Sequence, residues 1–184
     1  MVVPLHKPDF REKLFFFTSG IIMSIPLTIL AEQLSNSLAS GLPELFSALL
    51  LVAIIAPFVE EFAKAYPLFY RHGETERSIV TLGFLAGLGF GVIEFFLYIF
   101  VYSAPLMIRL PELFFHASNT SITAYGIANK KPLPFYLTAV GLHFIINFSA
   151  IFDQLWLIGF IFSLWVSYFL SWSLYKKTTE KVVV

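Results

Sequence analysis

Long apolar runs joined by short polar connections leave this chain few ways to satisfy its own backbone. Six such runs fall at about residues 14–31, 45–70, 79–102, 106–128, 134–152 and 155–175. Each is near the ~20 residues a helix needs to cross a bilayer. Lipid offers no water, so every N–H and C=O must pair within its own segment or around a closed barrel. Runs of this length predict an all-α, polytopic membrane helical bundle of about six transmembrane helices. The charge content agrees: 13% of the 184 residues are charged and mean hydropathy is +0.79, against about 25% charged in a soluble domain.

Ten of the twelve basic residues lie in alternate connections; Lys64 lies inside the second run and Arg109 at one end of the fourth. Lys7, Arg11 and Lys13 precede the first run, Arg71 and Arg77 separate the second from the third, Lys130 and Lys131 the fourth from the fifth, and Lys176, Lys177 and Lys181 follow the sixth. The other connections hold Glu32, Glu44 and Asp153. Lysine and arginine mark the cytoplasmic side, so the N- and C-termini are both expected there and the number of spans is expected to be even. The first run has the basic flank of a signal peptide, but it is long and no small-residue cleavage site follows, so it reads as a retained helix. The chain contains no cysteine, which excludes disulfides, thiolate nucleophiles and Cys-ligated metals. No basic run suggests nucleic acid. Residues 1–184 read as a single integral-membrane domain, with a short basic tail past about Lys176.

Polar groups inside the apolar runs carry the functional signal. Glu60 and Glu61 interrupt the second run, where an ionised side chain costs about 2.5–3.5 kcal/mol on insertion scales. Two adjacent carboxylates rarely both ionise in a dry site, so one is expected as a base and the other as an acid or hydrogen-bond donor. Lys64 is four residues from Glu60 and can pair with it on one helix face. Pro57 removes a backbone donor just upstream, which predicts a kink. Glu94 shares a face with Phe90, after Gly83, Gly87 and Gly91 at four-residue spacing, a small-residue seam for close helix approach. His116 has Glu112 one turn before it and Asn119 and Thr120 one turn after; His143 has Asn147 four residues on. His6 and His72 fall in the polar connections. Each intramembrane group taken singly also fits a structural role, as a buried ion pair or an interhelical hydrogen bond. Together, Glu, His and Asn are the parts needed to activate a water and stabilise an oxyanion.

Taken in order, Glu60-Glu61-x-x-Lys64, Phe90-x-x-x-Glu94, His116 and His143-x-x-x-Asn147 resemble the PrsW branch of the CAAX-protease and bacteriocin-processing superfamily. The resemblance covers a motif core at about residues 56–147. The prenyl-protein endopeptidase branch carries Glu-Glu-x-x-x-Arg and Phe-x-x-x-His, and Lys64 and Glu94 depart from both as the PrsW branch does. The resemblance implies an intramembrane endopeptidase of glutamic type. Its substrate would be a single-pass membrane protein or a peptide, with membrane-bound anti-sigma factors as the precedent. Glu60 is then the general base toward water, and Glu61 orients or shares that proton. His116 binds the water or protonates the leaving amine, His143 and Asn147 stabilise the oxyanion, and Lys64 and Glu94 support them. No cofactor or metal is expected for this chemistry. The alternative is Zn2+ held by Glu60, His116 and His143, although no His-Glu-x-x-His is present. Two readings from other classes stand beside it: a proton- or ion-coupled membrane transporter using the same groups as a relay, and a catalytically inactive membrane scaffold. The expected setting is a multi-pass protein of a prokaryotic cell membrane, with the bilayer and the substrate as partners.

Overall fold

The computed structural model describes residues 7–38, 41–70, 75–152 and 154–183. His6, Arg71, His72 and Asp153 lie outside the described residues, as does the side chain of Glu32. Helix α1 (Phe10–Leu38) starts earlier than the apolar run suggests. Asp9 and Glu12 cap it reciprocally: Glu12 N donates to Asp9 Oδ1 at 2.8 Å and Asp9 N donates to Glu12 Oε2 at 3.1 Å. This capping box satisfies two donors at a helix start that have no intrahelical partner.

The second run is one continuous but non-uniform helix. A short α2 (Glu44–Ala48) widens into a π-helical turn (Leu49–Ile55), returns to α3 (Ala56–Ala65) and tightens into a 3-10 end (Tyr66–Tyr70). The expected kink at Pro57 takes the form of this π turn. Ala56 N–H bonds to Leu51 O, five residues back. In that pattern Pro57 would bond to Val52 O, but proline has no hydrogen to give. Asn147 Nδ2 supplies it instead, at 2.9 Å.

Helix α4 (Glu76–Phe100) begins at an N-cap, Thr75, whose side chain accepts from Ser78 N at 3.1 Å. The C-terminal tail completes that cap. Glu76 N donates to Lys181 O and Arg77 N to Thr179 O, and an isolated bridge joins Thr75 to Val182. Helices α5 (Leu106–Ala128), α6 (Pro132–Ile151) and α7 (Trp156–Lys177) follow. Among the described residues, four stretches are long and apolar enough to cross a membrane: Glu44–Tyr70, Glu76–Phe100, Pro132–Ile151 and Trp156–Lys177. The chain is a multi-pass, all-helical membrane protein.

Helix α5 is the inner helix, packed by α4, α6 and α7. Its polar sequence follows from that position, since His116, Ser118, Asn119, Thr120, Ser121 and Thr123 are all buried. Asn119 ties three helices together: Nδ2 donates to Ala139 O of α6 at 3.0 Å, and Oδ1 accepts from Ser167 Oγ of α7 at 2.8 Å. The glycine seam of α4 faces α5. A Cβ on Gly87 would collide with the carbonyl of His116, and one on Gly91 would meet Leu113 O at 2.7 Å. Helix α1 crosses the other face of α4. Large apolar side chains on the outside, among them Phe162, Trp165, Phe169 and Trp172 of α7, are exposed as lipid contacts require.

Candidate metal centre

Three helices and one carboxylate at the end of a glycine seam build the polar centre. Helix α3 supplies Glu60, Glu61 and Lys64; α4 supplies Glu94; α5 supplies His116; α6 supplies His143. Glu61 and Lys64 are fully buried, and both histidines are nearly so. The close α4–α5 approach at Gly87 and Gly91 sets His116 against Glu94.

The pairing of Lys64 with Glu60 that the sequence suggests is present as an ion pair at 3.9 Å, and Lys64 Nζ bonds Glu61 Oε1 more closely, at 2.8 Å. Both spacings bring side chains onto one helix face. Here Lys64 turns inward with Glu61, while Glu60 is less deeply buried, its side chain 19% exposed. Lys64 Nζ also donates to His116 Nδ1 at 2.9 Å and stands 4.5 Å above the Phe90 ring. Glu61 Oε1 takes a second hydrogen bond from His143 Nδ1 at 2.9 Å. The two imidazoles meet edge to face, 5.4 Å apart.

These bonds assign the ring hydrogens. His143 gives its Nδ1–H to a carboxylate, so Nε2 presents a lone pair, 3.8 Å from Glu60 Oε2. This carboxylate–histidine arrangement orients and strengthens a metal-ligating imidazole. An ammonium can only donate, so His116 Nδ1 accepts from Lys64 and its Nε2 carries the hydrogen. That Nε2 lies 2.5 Å from Glu94 Oε2.

One donor atom each from Glu60, His116 and His143 falls within 4.8 Å of the others, a set able to hold a metal ion. Two further observations fit a cation. Buried Oε2 atoms of Glu60 and Glu61 accept no hydrogen bond among the described residues, and Glu94 Oε2 accepts none of good geometry despite its closeness to His116. When ionised, three carboxylates also face a single ammonium, a surplus that a divalent ion would balance. Two histidines and a carboxylate are donors that suit zinc and related first-row metals.

Of the residues expected at the site, the structure brings together Glu60, Glu61, Lys64, Glu94, His116 and His143. Asn147 is not hydrogen-bonded to them; its amide serves Val52 O. The aromatic box around the histidines was visible only in part. Phe90 belongs to the quoted motif, whereas Phe115, with its ring 5.7 Å from that of His143, has no sequence signal beyond its place beside His116.

A family model described as PrsW family intramembrane metalloprotease matches residues 10–174, and the chain belongs to that family. No curated protein matches it, and no solved structure does. The chain is therefore a hydrolase of the peptidase class. The expectation of a cofactor-free site is corrected. The family is one of metalloproteases, and the Glu60, His116 and His143 donors stand close enough together to hold the metal.

Proposed function

We propose that this PrsW-family peptidase hydrolyses a peptide bond of a membrane-bound protein at a divalent metal held by Glu60, His116 and His143. The observation that carries the proposal is the clustering of these three donors within 4.8 Å, with His143 anchored through Nδ1 on Glu61. When bound, such an ion supplies a Lewis acid that polarises the scissile carbonyl and makes water nucleophilic near neutral pH.

The remaining work falls to the side chains. Glu61 holds His143 with Nε2 toward Glu60, and Lys64 neutralises Glu61. For His116 to offer Nε2, its ring hydrogen leaves to water by way of Glu94, while Lys64 keeps its proton and its charge, still bonded to Glu61 and to His116 Nδ1. Glu94, whose side chain is 25% exposed, then takes the proton of the attacking water and returns it to the leaving amine. Asn147 acts from outside, by holding the π turn that aims α3. An apolar groove of about 370 Å³, lined by Met23, Phe58, Phe62 and Tyr136, runs beside α3 on the lipid side. It suits the apolar side chains of a single-pass substrate or peptide. The lysine-bearing connections support a cytoplasmic location for both termini, and the setting proposed is a six-span protein of a prokaryotic cell membrane.

The test is cleavage of a single-pass substrate in liposomes, with metal content measured on the same samples. We expect one divalent ion per chain, chelator-sensitive cleavage, and loss of both metal and activity in Glu60→Gln and His116→Ala. Full cleavage by metal-depleted protein would sink the assignment.

A further inference from the structure

The basic end of the bundle holds a site unrelated to the metal cluster. A cavity of about 270 Å³ opens where α4 begins and α7 ends, with Lys7, Lys13 and Arg77 at its rim and Glu180 as its one acid. A second cavity of about 350 Å³ runs between α4 and α7 over the buried hydroxyl face of α5, walled by Phe84 and Trp172. Thr81 and Tyr175 line both. The two cavities adjoin at these side chains and together are called the groove, cationic at the mouth and largely apolar beyond it.

We propose that this groove binds an anionic phospholipid, with the phosphate at Lys7, Lys13 and Arg77 and an acyl chain along Phe84 and Trp172. Three cations against one carboxylate favour an anion, and basic pockets between membrane helices are suited to anionic headgroups. Glu180 is partly engaged: its Oε2 accepts from Thr75 Oγ1 at 3.1 Å, and its Oε1 lies 4.0 Å from Arg77 Nη1. Arg77 is held by the tail: Nη2 donates to Thr178 O at 2.8 Å, and the guanidinium lies 5.6 Å from the Tyr175 ring. Lys176 over Trp172, with Nζ 4.8 Å from the ring, is an interfacial pair of the kind that sits at headgroup level. From Arg77 to Phe84 the groove descends about 10 Å along α4 at 1.5 Å per residue, which is the direction an acyl chain takes from its phosphate. Soluble phosphate shares the headgroup chemistry but leaves the apolar section empty.

Native mass spectrometry of the full chain in detergent, with phosphatidylglycerol, phosphatidylcholine of the same acyl chains and glycerol 3-phosphate as probes, distinguishes the sources. Phosphatidylglycerol is expected to be retained best. Its affinity should fall roughly tenfold or more in Lys7→Gln/Lys13→Gln, two screened surface charges of about 1 kcal/mol each. Both lysines are exposed, so the double variant should keep its melting temperature without lipid. Ser171→Phe, which narrows the apolar section, should weaken lipid binding and leave glycerol 3-phosphate unaffected. Equal retention of phosphatidylcholine, unchanged affinity in the double variant, or glycerol 3-phosphate competing as well as the lipid would each overturn the proposal.

Discussion

Lys64 shows how much one buried cation organises. It bonds Glu61 and His116, lies near Glu60 and covers Phe90, so its removal would leave Glu61 with His143 alone. Lys64→Met is expected to destabilise the folded chain by about 3–5 kcal/mol, because a buried charge loses its partner; thermal melting in detergent checks this. Glu61→Gln acts differently. It weakens the hold on His143 Nδ1, and loss of such an outer partner typically lowers metal affinity about 10–100-fold. Metal titration should show that drop, whereas unchanged affinity would remove Glu61 from the orienting role. Protons compete with the metal for His116, His143 and Glu60, so metal occupancy should fall as pH is lowered; metal analysis after dialysis at graded pH reads it. The identities of these residues were legible in the sequence, since charge in an apolar run is costly. The lysine's closer partner was not. Spacings of three and four residues both share a helix face, and only the packing of α4, α5 and α6 turned Lys64 toward Glu61.

At the scale of elements, the π turn and the glycine seam set the geometry of the site. Asn147→Ala leaves Val52 O without the hydrogen that Pro57 cannot give, at a cost of about 1–3 kcal/mol. Pro57→Ala restores a backbone donor. The double variant should therefore recover part of the stability lost in Asn147→Ala, and strict additivity in the cycle would count against the pairing. Gly87→Ala inserts a methyl group against the His116 carbonyl and pushes α5 from α4. Overpacking of this kind costs about 1–3 kcal/mol, and cleavage should fall further than stability because His116 and Glu94 move apart. Proline and the glycine spacing announced a distortion and a close contact. That the distortion would be π-helical and satisfied by α6 required the neighbouring helix, since Asn147 lies 95 residues from Val52 in the chain.

At the scale of the whole molecule, the proposed metal ligands Glu60, His116 and His143 lie on α3, α5 and α6, so metal binding should stabilise the bundle as well as activate the peptidase. Chelation is expected to lower the melting temperature and remetallation to restore it, the metal adding about 2.7 kcal/mol of stability when its free concentration exceeds its dissociation constant a hundredfold. The same logic separates the ends of the protein: the tail that caps α4 should melt independently of the metal. By itself the sequence determined the class of architecture, because apolar runs in lipid must close their backbone bonds as helices. It also determined which side chains are too costly to be idle. The tertiary structure decided which helix lies innermost, which acid meets the lysine, that Asn147 supports backbone and that two histidines and Glu60 converge. Those choices depend on contacts between segments far apart in the chain, and helical periodicity carries no information about them.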